Sequence, residues 1–308
     1  MAKARAIVKR RKAVRNIRKI TKTMQMIATA KFQKSLRRAV GAKPYSRKVR
    51  ELVRELASNV GNVEHPLLRN PDAKTAANRI ALVVITSNRG LAGAYNGAVL
   101  RTANAFIRQQ ESAGKKIDLY VTGKKGATSF NYQKRPIVRR VDVSDNSPFS
   151  EIEPLANHFI SEFTSGKVDA VYVAYMNFIS AGSQKPEVMS LLPLAAVDAT
   201  VSGVKGAPAA QAAPAPAAEK INAVYDFSPD PIALLDELLP LTVRTNLFQA
   251  YLDANTSEHV ARMVSMKSAT DNADKMVKSL TMKYNRARQS QITTELAEIM
   301  GGVEAMGG

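Results

Sequence analysis

Apolar and polar positions follow three successive periods along this chain. From about Lys3 to Asn59 they keep a helical repeat, interrupted only by Gly41 and Pro44. Ile17, Ile20, Met24 and Ile27 recur in steps of three, four and three, the spacing of a coiled-coil seam. Arg18, Lys19, Lys22 and Gln25 lie between them and are expected to face water or another chain. Gly41 and Pro44 predict a bend or break. A second amphipathic stretch follows through Val49, Leu52, Val53 and Leu56, and "GNVEHP" closes the block.

Between about Arg79 and Ala196 the period changes. "IALVVITS" is a β-branched run that predicts a buried strand. "GAVLRTANAFIRQQESAG" reads as a helix with Gly114 just past its end. "KIDLYVTG" predicts a second strand and "PIVRRVDV" a weaker third. "PFSEIEPLANHFISEFTSGK" predicts a helix, with Ser150 as its cap and Glu153 completing a capping box. "DAVYVAYMNFIS" and "EVMSLLPL" read as a strand pair. Strands alternating with helices imply a largely parallel sheet covered on both faces.

"SGVKGAPAAQAAPAPAAEK", Ser202 to Lys220, is too poor in large apolar residues to order itself, which predicts a flexible loop. The third block begins near "SPDPIALLDELL". Ser228 or Asp230 is placed to cap a helix, Pro231 suits its first position, and Pro240 predicts a kink or a later start. From Leu241 to Met300 there is neither Gly nor Pro. An uninterrupted helix of that length would be a rod of about 90 Å at 1.5 Å per residue, too long for the inside of a compact domain. Its seam is Met263, Met266, Thr270, Ala273, Val277, Leu280, Tyr284, Ala287, Gln291 and Thr294, in unbroken 3-4 alternation. The N-terminal block has the same period and is its expected mate. The seam is thin, since Ala and Thr bury far less apolar area than Leu at about 25 cal/mol per Å². Its last turns are expected to depend on another surface.

Charge sharpens this picture. The net charge is +19, yet residues 1–55 carry 19 Lys or Arg against Glu51 and Glu55 alone. So basic a segment needs an acidic partner, a solvated face or both, and nucleic acid is one partner it would fit. No apolar run of 18 residues occurs, and the N-terminus lacks the apolar segment of a secretory signal. With no cysteine, disulfides, thiolate catalysis and Cys-based metal sites are excluded. His65, His158 and His259 are far apart and have no metal-ligand spacing.

"VVITSNRGLAGAYNGAVL" has the strand, turn and helix shape of a phosphate cradle. Its glycines, Gly90, Gly93 and Gly97, lack the close pair of a dinucleotide fingerprint, and neither this stretch nor "TGKKGATS" is a P-loop. Asn88 and Arg89 either hold an anion at the helix start or cap the turn. No catalytic motif is recognisable, so neither a catalytic residue nor a cofactor or metal is expected.

"NIRKITKTMQMIATAKF" and "SEHVARMVSMKSATDNADKMVKSLTMKYNRARQSQITTELAEIMGG" resemble the terminal signatures of the gamma subunit of F-type ATP synthase. "TSNRGLAGAYN", "QKPEVMSLLPL" and "PDPIALLDELL" are similar to the same family, so the resemblance covers the whole chain. It implies an α/β chain in which the N- and C-terminal helices form a long antiparallel coiled coil around an inserted Rossmann-like domain. The expected domains are a helix over 1–60, the insert over 79–200, the loop over 201–222 and a second helix over 229–308. The implied function is a central-stalk rotor, without catalysis of its own. It couples rotation of the membrane c-ring to nucleotide affinity at the beta subunits.

By position, the resemblance places contacts to the alpha/beta hexamer on Met24, Arg262, Arg288, Gln289, Thr293 and Glu298. It places contacts to the epsilon subunit and the c-ring on Tyr225, Phe227, Ser228 and Asp230. Members commonly carry Asp at the place of Asn88, Cys-Gly at Ala92-Gly93, and an acidic residue at Ser228. The regulatory cysteine pair of the chloroplast type is missing. One copy per complex is implied, peripheral to the cytoplasmic side of a bacterial inner membrane. The rival reading is a nucleic-acid-binding protein using the basic helix, although only Phe32 and Tyr45 offer stacking there.

Overall fold

The computed structural model describes residues 2–60, 65–68, 78–144, 147–194 and 231–307. In chain order the elements are α1 (Ala2–Val60), a 3-10 turn (Pro66–Leu68), β1 (Arg79–Ile85), α2 (Tyr95–Ser112), β2 (Lys116–Thr122), α3 (Lys124–Tyr132), β3 (Arg139–Val141), α4 (Phe149–Thr164), β4 (Ala170–Ser180), β5 (Ser183–Leu192) and α5 (Pro231–Met306). They form two units. One joins Met1–Phe32, Leu91–Gly93 and His259–Gly308; the other joins Gln33–Gly90 and Ala94–Glu258.

In the first unit α1 and α5 run antiparallel. The Thr21 and Thr270 hydroxyls hydrogen-bond at 2.8 Å, Arg18 pairs with Asp274, and the Arg11 guanidinium sits 5.0 Å from the centre of the Tyr284 ring. Position rises on one helix as it falls on the other. The α5 seam follows the predicted alternation. Met266, Thr270, Ala273 and Leu280 are buried, and Met263, Val277, Tyr284, Ala287 and Gln291 are half-buried; Thr294 is exposed.

The α1 seam is not the predicted one. Ile17, Ile20 and Ile27 are 53–59% exposed, and only Met24 is half-buried. The buried positions are Val14, Thr21 and Ala28, with Ile7, Arg11, Gln25 and Phe32 half-buried. This stripe also alternates in threes and fours, but its residues are mostly small or polar. Helix separation depends on the side chains at the contact. Thr270 and Ala273 on α5 are short; Thr21 meets Thr270, Val14 packs with Ala273, and the isoleucines of α1 turn outward.

The second unit holds a five-stranded sheet in the order β3-β2-β1-β4-β5. β3, β2, β1 and β4 are mutually parallel, and β5 returns antiparallel to β4. β1 is central and buried from Ile80 onward. On α2, Tyr95, Val99, Ala103 and Ile107 are buried at four-residue steps, and on α4 the buried stripe is Ile152, Leu155, Ala156, Phe159 and Phe163. One core cluster joins the α4 stripe to Leu56 of α1 and to Leu235, Leu239, Val243, Leu247 and Tyr251 of α5.

Three local expectations are corrected. α1 continues through Gly41 and Pro44 without a break. Gly41, Pro44 and Val40 face water, which can solvate the carbonyl freed by the proline ring, while Ser46, Val49 and Leu56 hold the other face buried. α4 starts one residue before Ser150, after Pro148, with no side-chain cap. Glu153 instead lies 3.9 Å from Arg244, and it is Glu151 that accepts the backbone N–H and hydroxyl of Ser144. α3 was not anticipated; it has nine residues, a glycine inside and too few apolar positions to show a period.

Candidate functional site

The turn after β1 is the place where an α/β sheet would hold a nucleotide. Here its polar groups are taken by the chain itself. The Ser87 N–H donates to Asn96 Oδ1 at 3.0 Å, and the Ser87 hydroxyl donates to the Arg89 carbonyl at 2.6 Å. Thr86 Oγ1 donates to the Thr122 carbonyl at 2.7 Å and accepts the Gly126 N–H at 2.9 Å. Asn88 Oδ1 accepts the Lys124 N–H at 3.2 Å, so Asn88 caps the start of α3.

The glycines serve packing. A Cβ on Gly93, at φ +54°, would lie 2.6 Å from Ser265 Oγ, and one on Gly123, at φ +90°, would lie 2.2 Å from the Thr86 carbonyl oxygen. The adjoining groove of about 560 Å³ is lined by Asn88, Arg89, Lys124, Asp142, Ser144 and Glu151, which brings both signs of charge together. This turn braces strand to helix.

The other candidate is the outer surface of the paired helices. Arg288, Gln289 and Thr293 lie within about one and a half turns of α5, all exposed, with the Thr293 hydroxyl donating to the Gln289 carbonyl at 3.0 Å. Glu298 is exposed further along. Arg262 is only 8% exposed, and Met24 is half-buried one turn from Thr21. The six predicted residues therefore form a dispersed set: four outward on α5, one half-buried on α1 beside the seam, one largely covered. Tyr225, Phe227, Ser228 and Asp230 lie outside the described residues.

Around this set the surface is both apolar and basic. Ile17, Ile20, Met26 and Ile27 are exposed on α1; Ile292, Leu296, Ile299, Met300 and Val303 are exposed on the last turns of α5. Lys9, Arg10, Lys12, Arg15, Lys19 and Lys22 are exposed beside the α1 group. Exposed apolar side chains flanked by charge, here at two separate places along the pair, mark protein contacts. Sequence reasoning missed the α1 patch because it assigned the largest apolar side chains to the internal seam. Among the described residues no cluster of His, Asp and Glu could hold a metal ion, and no helix is long and apolar enough to cross a membrane.

A model of the family described as ATP synthase matches residues 3–306. The ATP synthase gamma chain of Rhodopirellula baltica is 39% identical over 310 residues, covering 100% of both chains. That of Leptospira biflexa is 37% identical over 307 residues, covering 99% of this chain and 100% of its own. Among solved structures, a chain of the Euglena gracilis mitochondrial ATP synthase, in the OSCP/F1/c-ring assembly, superposes with a TM-score of 0.64 at 18% identity, covering 99% of this chain and 95% of that one. A chain of the rotor of the same enzyme superposes at 0.60 and 16% identity, over 94% of this chain and 99% of that one. At such identities the structures speak for the fold. The nucleic-acid reading finds no support in these comparisons.

Proposed function

Because the chain belongs to the ATP synthase gamma chain family, we propose that it is the central shaft of an F-type ATP synthase. It turns with the ring of membrane c subunits and drives the catalytic beta subunits through states of differing nucleotide affinity. The observation that supports this reading is the inversion of the helix pair. Ala28 and Thr21 are buried inside, while Ile17, Ile20 and Ile27 face out. A helix pair built for its own stability would place these residues the other way round. A shaft whose apolar side chains are completed by a surrounding sleeve would not.

The sleeve is the alpha/beta hexamer, met by Arg288, Gln289, Thr293 and Glu298 with the apolar end of α5, and by Met24 and Arg262 nearer the insert. The exposed lysines and arginines of α1 attract acidic loops over about one Debye length, roughly 8 Å at physiological salt. That guides assembly without holding one angle. Contact with the epsilon subunit and the ring is assigned to Tyr225, Phe227, Ser228 and Asp230 by the family resemblance. The bonds of ATP are made in the hexamer, so this chain contributes no catalytic group and no cofactor. One copy serves each complex, peripheral to the cytoplasmic side of a bacterial inner membrane.

The test is to tag this chain in its host, identify what co-purifies, and compare ATP hydrolysis with proton pumping after truncation beyond Tyr284. Co-purification of the hexamer, with pumping lost out of proportion to hydrolysis, is expected. Absence of the hexamer, or an unchanged ratio of pumping to hydrolysis, overturns the proposal.

A further inference from the structure

Beneath the β4–β5 hairpin the second unit holds a half-open cavity of about 800 Å³ between α1, the sheet and α5. Its floor is on α5. Asn246 is 7% exposed and lines the cavity, and its Nδ2 has no hydrogen-bond partner among the described residues. One turn on, Gln249 gives its own Nε2 to Asp253 Oδ1 at 3.1 Å, which leaves Oε1 buried and unpaired. A buried donor and a buried acceptor are thus both unsatisfied in one cavity. Each such group is costly to leave unmade.

The walls are apolar, with Tyr175, Val188, Met189 and Ala250. The rim is cationic: Lys43, Arg47 and Arg50 recur on one face of α1. Two carboxylates face them. Asp253 lies 3.8 Å from Lys43, and Glu187 already accepts the Tyr175 hydroxyl at 2.7 Å. Burial raises the Asp253 carboxyl from 3.8 to about 6, which brings its loss of charge close to neutral pH. Lys43, Arg47 and Arg50 line the cavity against Glu187 and Asp253, and Arg47 also lies 4.0 Å from Glu51 outside it.

We propose that this cavity is a binding site for a small organic anion with an amide-type edge. The edge supplies an acceptor to Asn246 Nδ2 and a donor to Gln249 Oε1, and the anionic group rests on Arg47 and Arg50. An apolar portion lying over Tyr175 and Met189, neighbours on one face of the β4–β5 pair, completes the fit. An acylated acidic amino acid and a nucleoside monophosphate share this chemistry. The site is separate from the helix surface assigned to the hexamer, and does not depend on the shaft reading.

Isothermal titration of the purified full-length chain with N-acetylglutamate and with AMP distinguishes the two sources. Adenosine and inorganic phosphate serve as half-ligands. One of the two whole probes is expected to bind below 1 mM, as an estimate from the few hydrogen bonds and one ion pair on offer, with each half-ligand at least tenfold weaker. Arg47→Ala and Arg50→Ala, both at the rim, are expected to weaken binding about tenfold without moving the unfolding midpoint. Asn246→Ala is expected to weaken it by about three- to tenfold, as for one lost hydrogen bond. If neither whole probe binds, if phosphate alone binds equally well, or if the rim variants bind unchanged, the proposal is overturned.

Discussion

Ile27 and Ala28 are neighbours in sequence with opposite surroundings, 53% and 2% exposed. Gln at each position makes the sharpest test of the seam. With half its surface already wet, Ile27 contributes about 0.8–1.5 kcal/mol, half of the value for a fully buried aliphatic side chain. Ile27→Gln should therefore change the isolated chain only modestly. Ala28→Gln forces a larger side chain into a filled contact, at about 1–3 kcal/mol. It also buries an amide without partners, at about another 1–3 kcal/mol. The expected total of ~2–6 kcal/mol falls on the packing of α1 against α5. Peptide-resolved hydrogen exchange over residues 14–32 reads that packing directly. Ala28→Gln should speed exchange by at least about thirtyfold, taking ~2 kcal/mol at 1.4 kcal/mol per tenfold; Ile27→Gln should change it by no more than about tenfold. The order should reverse in the assembled enzyme, where Ile27→Gln, and not the isolated fold, loses its apolar contact. Were Ile27→Gln the more damaging substitution in the isolated chain, the seam described here would be wrong.

Asp253 makes stability depend on pH. Its folded-state carboxyl titrates at about 6 against an ordinary 3.8, with a side chain 6% exposed, so the folded chain holds a proton that the unfolded chain releases. Stability therefore falls as pH rises from 4 through 6, by up to about 3 kcal/mol for this shift. Asp253→Asn should raise the urea midpoint at pH 7.5 and leave it nearly unchanged at pH 4; equal effects at both would refute the assignment. Gly123→Ala meets the Thr86 carbonyl oxygen at 2.2 Å from a left-handed backbone and should cost more than about 3 kcal/mol. Gly114→Ala, left-handed but with open space around it, should cost only about 1–2 kcal/mol, as thermal unfolding of the two variants would reveal.

The fold was legible where one physical signal dominated. β1 is buried on both faces and reads as an unbroken β-branched run; α2 announces its end with Gly114, which adopts φ +78°. The α5 seam could be counted residue by residue because its neighbours are charged. On α1 the same counting went astray, since two stripes carry apolar residues and the larger ones belong to the outside. Side-chain size identifies the core face only when nothing else will cover the alternative. Gly41 and Pro44 failed as helix breakers for a related reason: tertiary packing on the opposite face of α1 outweighs a local penalty of about 3 kcal/mol. The cavity below the hairpin was invisible in sequence, because Lys43, Tyr175, Glu187 and Asn246 meet only through the fold.

Rotation of this chain within the working enzyme is the direct measure of its role. The sequence has no cysteine, so Gly182→Cys, in open space at the β4–β5 turn, gives one attachment point for an optical marker. On a hexamer fixed to a surface, ATP should drive the marker in discrete steps in one direction, and a disulfide between an introduced cysteine at Arg288 and the hexamer should stop both rotation and turnover. Full ATP turnover with the marker stationary would contradict the account.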